Sequence, residues 1–183
     1  MEDVYIKKVI EGDEQGYRYF LRRYQDMAFS IAVSVVKDEF IAEEVVQEAF
    51  MKAFQKITSF KGHSKFSTWF YRIIVNIAFR RLDKEKKWKN ETLVAVENTV
   101  NENELNALEH DERKYYINEA LKLMTANESL SLRLFYLEEL SIIELKDVTG
   151  WSSSKTKVVL HRARKSFYSH LNSLLKHETK LII

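Results

Sequence analysis

Apolar residues recur at helical spacing along most of the chain. Over residues 13–37, Tyr17, Phe20, Leu21, Tyr24, Ala28, Ile31, Ala32 and Val35 fall three or four apart and make one face of a helix that Asp13 can cap. A polar break at Lys37-Asp38-Glu39 precedes a second helix with the apolar line Ala42, Val46, Ala49, Ala53 and Ile57, which ends before a turn at Gly62. A third helix starts at Ser67 or Thr68 and runs to about Lys87. Between residues 90 and 106 Asn and Glu dominate and the periodicity fades, which predicts a linker. A helix follows over 109–124, and Asn127 can cap another that carries Leu130, Leu134 and Leu137. Ser141-x-x-Glu144 is a capping box, and the short helix it starts ends at Gly150. Ser152 or Ser153 then caps a longer helix from 154 to about 175. Short helix, glycine turn and long helix together give a helix-turn-helix outline.

Composition agrees with an all-α chain. Of the 183 residues 45% are hydrophobic, enough for packed cores, and there is no proline and only four glycines to interrupt helices. With no cysteine there is no disulfide framework, zinc knuckle or thiol nucleophile. No apolar run approaches the roughly 20 residues that span a bilayer. The Met-Glu-Asp start lacks the basic and apolar regions of a signal peptide, so the expected location is cytoplasmic. A phosphate-binding glycine loop, an HExxH pair and a serine elbow are all missing, so no catalytic residue, cofactor or small-molecule substrate is expected.

Charge is sorted along the chain. Residues 1–60 carry 8 basic and 11 acidic groups, whereas 61–89 carry 9 basic groups against Asp83 and Glu85. Residues 90–112 hold seven acidic groups and no Lys or Arg, and 113–183 return to 12 basic against 7 acidic. The pattern is two basic-ended modules, 1–89 and 113–183, around an acidic spacer, 90–112.

Three surfaces stand out. In "HSKFSTWFYRIIVNIAFRR", residues 63–81, helical phasing puts Phe66, Phe70, Ile73, Ile74 and Ile77 on a core face. Trp69, Arg72, Asn76, Arg80 and Asp83 fall on another. Arginines beside a stackable aromatic suit single-stranded nucleic acid, and an Asn amide can read a base edge; a half-buried Trp69 and a merely solvated Asn76 are the plainer alternative. The last helix turns Thr156, Leu160, Ala163, Phe167, Leu171 and Leu174 inward and Lys155, Lys157, Val158, His161, Arg162 and Lys165 outward, a face suited to the major groove and its phosphates. Glu43, Glu44, Gln47 and Glu48 form an acidic patch. None of the five histidines stands in a Glu-x-x-His relation to these carboxylates, so a docking face or a solvated one is favoured over a metal site.

"AEEVVQEAFMKAFQKITSFKGHSKFSTWFYRIIVNIAFRRL", residues 42–82, resembles the second conserved region of bacterial sigma factors of the extracytoplasmic-function group. "GDEQGYRYFLRRYQ" (12–25) resembles that region's opening, and "LRLFYLEELSIIELKDVTGWSSSKTKVVLHRARKSF" (132–167) resembles the fourth region. The resemblance implies a non-enzymatic initiation subunit with a region 2 domain and a helix-turn-helix region 4 domain. It implies docking of Glu44, Gln47 and Glu48 on the clamp helices of the largest subunit of core RNA polymerase, with the beta flap as a second contact. It also implies a minus-ten interface made of Phe60, Lys61, His63, Lys65, Phe66, Trp69, Tyr71, Arg72, Asn76 and Arg80, in which the 60–66 loop captures a flipped base. Lys155, Lys157, Val158, His161, Arg162 and Lys165 would read or grip the minus-thirty-five element. The implied partners are core polymerase, promoter DNA and an anti-sigma factor, which can be membrane-bound.

Three departures from the family pattern stand out. Met124-Thr125 replaces a common Leu-Pro, Lys146 replaces a small residue, and Ser154-Lys155-Thr156 replaces Gly-Thr-Val. A lysine at 146 is expected to snorkel or to open the helix crossing. Two other readings use fewer of these residues: a helix-turn-helix regulator that binds duplex DNA without polymerase, and a sequestering sigma-like interaction module.

Overall fold

Asp13 starts the first long helix as its position predicts, its carboxylate accepting the Gln15 N–H at 2.8 Å. The structure, a computed structural model, describes residues 2–91 and 109–181. The middle of the expected linker, 92–108, lies outside the described residues. The N-terminal helices are α1 (Glu2–Ile10), α2 (Glu14–Val36), α3 (Glu39–Gln55) and α4 (Phe66–Glu91), with one 3₁₀ turn, Ile57–Ser59, after α3. The C-terminal helices are α5 (Glu109–Leu123), α6 (Ala126–Leu132), α7 (Ile142–Thr149) and α8 (Ser153–Leu181), with a π turn, Arg133–Leu137, continuing α6. No strand occurs among the described residues.

Local chemistry fixes most boundaries. Lys37 ends α2 in the left-handed conformation, φ 60°, with its N–H on the Val33 carbonyl at 3.0 Å, and Asp38 caps α3 through the Ile41 N–H. The Ser141–Glu144 box starts α7, and the Ser141 N–H and hydroxyl hold the Glu144 carboxyl below its usual range. Gly150 closes α7 at φ 71°, and Ser152 Oγ accepts the Lys155 N–H at the start of α8. For α6 the capping residue is Thr125, not Asn127: a second reciprocal box joins Thr125 and Glu128, which starts the helix earlier.

Two apolar clusters hold the helices. The larger joins Phe20, Tyr24, Ile31 and Val35 of α2, Val45 and Phe50 of α3, and Phe66, Phe70 and Ile74 of α4. Ring contacts run from Phe20 to Phe66 at 4.3 Å and from Phe50 to Phe70 at 4.7 Å between centroids. α1 closes over this core, and Gly16 permits the approach, because a Cβ there would lie 2.7 Å from the Val9 backbone nitrogen. The same cluster continues into Leu130, Leu134, Leu140, Leu145, Val148 and Trp151, so α4 packs against α7 and α2 against α6. The smaller cluster, Leu121, Met124, Leu132, Leu160 and Ala163, ties α5 and α6 to α8.

Two expectations about these C-terminal helices are corrected. Lys146 is exposed and lies outside the helix crossing, which uses Leu145 and Val148, so it neither snorkels nor opens it. Leu137 is 57% exposed at the end of the π turn, where the added residue shifts the register, and Leu140, in the segment before α7, is buried in the core instead.

Candidate nucleic-acid interface

Arg72, Asn76 and Arg80 stand one turn apart on the exposed face of α4, as i, i+4 spacing requires. Trp69, at the head of this row, is half-buried. Its indole packs against Phe60 and Phe66 with ring centres 5.4 and 5.6 Å away, so it is held in place while keeping an exposed surface. The loop before α4 turns at Gly62, φ 71°, a conformation that favours glycine, and exposes Lys61, His63 and Lys65. Behind that loop lies a concavity of about 440 Å³ walled by Tyr19, Arg23, Tyr24, Phe60 and Phe66. Burial, and then a hydrogen bond to the Glu2 carboxylate, push the Tyr24 phenol up to about 12, so it stays a neutral donor.

Two residues of the expected minus-ten set are buried in this arrangement. Phe66 is 2% exposed and belongs to the aromatic core. Tyr71 is 5% exposed on a third face of α4, together with Val75 and Ala78, and its hydroxyl donates to Glu138 Oε2 at 2.6 Å. Burial first, and the Glu138 carboxylate second, raise the Tyr71 phenol well above its ordinary value. Tyr71 therefore faces the C-terminal helices, whereas Arg72 and Asn76 face solvent.

The acidic residues of α3 lie beside this stripe. Gln47 is exposed, Glu44 pairs with Arg81 at 2.7 Å, and Glu48 pairs with Arg80. Such exposed pairs contribute about 0–1 kcal/mol each and leave the carboxylates open to exchange partners. No group of three or more potential metal ligands occurs among the described residues.

In the C-terminal helices, α7, the turn at Gly150 and α8 form the helix-turn-helix. Thr156, Leu160 and Ala163 are buried, while Lys155, Lys157, Val158, His161, Arg162 and Lys165 are all exposed on α8. The Lys155 ammonium sits 5.1 Å from the Trp151 ring, which draws it towards the turn. Arg164 stacks on Phe135 and Tyr136 and donates to the Tyr136 hydroxyl at 2.7 Å, leaving its neighbours Arg162 and Lys165 to form the outward basic row.

Of the walls of the concavity, sequence reasoning named Tyr24, Phe60 and Phe66 and missed Tyr19 and Arg23. Tyr19 and Arg23 sit at i, i+4 beside the apolar stripe of α2, a signal that was present but unspecific. α1, which covers them, is nine residues long with two buried residues, Ile6 and Val9, too few to register as a period.

The family model "Sigma-70 region 2" matches residues 20–88. Among relatives, the "ECF RNA polymerase sigma factor SigW" of Bacillus subtilis (strain 168) is 27% identical over 179 residues, covering 92% of this chain and 96% of that protein. The "RNA polymerase sigma factor YlaC" of the same strain is 31% identical over 146 residues, covering 75% of this chain and 81% of that one. Two solved structures share the fold across most of the chain. One is the sigma factor RpoE in complex with the anti-sigma factor NepR from Bartonella quintana, at TM-score 0.68 and 20% identity, covering 85% of this chain and 96% of that chain. The other is CnrH in complex with the cytosolic domain of CnrY, at TM-score 0.62 and 17% identity, covering 93% and 96%.

Proposed function

This chain belongs to the RNA polymerase sigma factors, in the extracytoplasmic-function group, and we propose that three of its surfaces divide initiation among polymerase, opened promoter and upstream duplex. It binds core RNA polymerase and directs promoter-specific initiation. The α3 row Glu44, Gln47 and Glu48 docks on the clamp helices. The loop with Phe60, Lys61, His63 and Lys65, the concavity behind it and the stripe Trp69, Arg72 and Asn76 capture and read the opened minus-ten strand. The outward row of α8 grips the minus-thirty-five duplex. Residues 1–89 and 113–183 are the two working domains, joined by 90–112. The chain carries out no covalent chemistry and works in the cytoplasm. An anti-sigma factor, soluble or membrane-bound, completes the partner set, supported by the solved structures of RpoE with NepR and CnrH with CnrY.

The observation that carries this reading is the exposed α4 row. Arg72 and Asn76 are free of the core, and Trp69 is fixed half out of it, beside a cationic loop that backs onto an aromatic-walled concavity. Positive charge binds phosphates and the aromatic stacks a base, which together suit single strands. The test is transcription from genomic fragments with purified core polymerase. Discrete start sites are expected, and a chain that neither binds core nor yields starts on any fragment would sink the reading.

The α8 assignment has its own test. Lys157→Ala is expected to weaken binding of the holoenzyme to upstream duplex almost uniformly across sequences and to lower the salt slope by about 1, as loss of one phosphate contact does. Affinity titrated at several salt concentrations reads this directly, and an unchanged slope would remove Lys157 from the phosphate contacts.

A further inference from the structure

The concavity behind the 61–65 loop has a neighbour. Tyr19 and Arg23 of α2 wall it on one side and also wall a second concavity of about 650 Å³, which Tyr5 of α1 and Gln15, Arg18 and Arg22 of α2 complete. We propose that this second concavity holds the nucleotides that follow the captured one towards the start site. The strand crosses Arg23, its phosphates run over Arg22 and Arg18, and a base packs on the Tyr5–Tyr19 pair. The proposal rests on the minus-ten reading above and extends it to α1 and the first turns of α2, to which that reading gives no task.

Three observations carry it. The first is charge. The walls of the second concavity include three arginines and no carboxylate, whereas the first sets Glu2 and Asp3 against Arg23 and Lys65. Arg23 is held at the junction by Glu2 at 3.2 Å, Arg18 shares an exposed pair with Glu14 at 2.7 Å, and Arg22 has no ion pair among the described residues. An exposed pair exchanges partners at little cost, so Arg18 and Arg22 can both turn to phosphate. The second observation is spacing. Arg18 and Arg22 stand at i, i+4, about 6 Å apart at their stems, a separation that successive phosphates of an extended strand can match. The third is the aromatic pair. Tyr5 and Tyr19 lie face to face with ring centres 3.7 Å apart and planes 2° from parallel. That separation is close to the 3.4 Å step between stacked bases. Both rings are half-buried, so they are fixed while keeping exposed surface.

Continuity decides the occupant. Because Tyr19 and Arg23 belong to both concavities, a strand whose base enters the first has its backbone at the edge of the second. Guanidinium groups beside flat rings suit single-stranded nucleic acid, whereas an acidic protein surface needs the charge and not the rings. On this reading α1 is a structural part of the interface. It brings Tyr5 onto Tyr19, and the absence of a side chain at Gly16 lets the two helices approach closely enough to do so.

The test uses the full-length chain with core polymerase and fork templates built from a mapped start site. The opened strand of each template either ends with the minus-ten element or continues a few nucleotides towards the start. The longer strand is expected to bind roughly tenfold more tightly whatever its added bases, since stacking and phosphate contacts tolerate sequence. Replacing Arg18 and Arg22 together by alanine should remove most of that gain and lower the salt slope on the longer strand by about 1.4, twice the 0.7 or so that one single-strand phosphate contributes. The short strand should bind this variant as before. Tyr5→Leu keeps an apolar contact with Tyr19 but no flat ring, and should cut the gain severalfold with the slope unchanged. Misfolding weakens the short strand as well, so it cannot imitate either result. Equal affinity for the two lengths, or a gain and slope that the arginine substitutions leave unmoved, would overturn the proposal. Loss of core affinity in the arginine variant would also overturn it, by placing those side chains on polymerase. If the unsubstituted chain neither binds core nor yields start sites, the sigma reading fails instead.

Discussion

Reversing the charge of both Glu44 and Glu48 to lysine is expected to lower affinity for core polymerase on the order of a hundredfold, about 3 kcal/mol, while helix content and melting hold. The expectation rests on where the two carboxylates sit. They lie one turn apart on α3 with Gln47 between them, and Glu44 pairs with Arg81 and Glu48 with Arg80 of α4. Exposed pairs of this kind exchange partners at little cost, so the carboxylates can turn to a basic surface when one arrives. Reversal has two consequences: it sets lysine against arginine within the chain, and it repels the docking surface. A second variant separates them. Adding Arg80→Glu and Arg81→Glu to the lysine pair restores opposite charges between α3 and α4 without restoring the acidic face. Core affinity measured by anisotropy should stay low in this fourfold variant. Full recovery would mean that the acidic row only positions α4 and docks nothing.

Most helix boundaries were legible in the sequence because short side chains announce them chemically. Asp13, Asp38, the Ser141–Glu144 box and Gly150 act within their own turn, where sequence distance and spatial distance coincide. What was not legible depends on contacts made across the chain. Helical phasing divided α4 into a core face and a free face, yet the helix has a third face, Tyr71, Val75 and Ala78, buried by helices more than 50 residues away. Nothing in the spacing of those three residues names their partner. The π turn is a second instance. Leu130, Leu134 and Leu137 read as one stripe, and the added residue in the turn leaves Leu137 outside while Leu140 enters the core. The candidate site divides in the same way. Arg72, Asn76 and the α8 row are exposed as phasing predicts, while Phe66 and Tyr71, which resemblance placed in the DNA set, are held by the core and by Glu138.

Replacing Asn76 by alanine is expected to reduce promoter opening by roughly 10- to 100-fold, about 1–3 kcal/mol, the range for one bidentate amide contact to a base. Affinity for core polymerase should not change. Asn76 is exposed within α4 and sits between the buried residues Val75 and Ile77, so the substitution removes no packing. Alanine is also the better helix former by several tenths of a kcal/mol, which makes Asn76→Ala neutral or slightly stabilising in the free chain. A loss of opening therefore cannot come from unfolding, and fluorescence of an unstacked base analogue in the minus-ten strand would report it as a lower open fraction. Trp69 gives the companion measurement. Stacking of one base on an aromatic contributes about 1–3 kcal/mol, so Trp69→Ala should be as damaging as Asn76→Ala, but it also strips packing from Phe60 and Phe66. Trp69→Phe keeps most of that packing and a stackable ring and should recover most of the opening. If Asn76→Ala instead lowers core binding and opening in equal proportion, the residue supports the docked helix and does not read the strand. If Trp69→Phe opens no better than Trp69→Ala, stacking is not what the indole supplies.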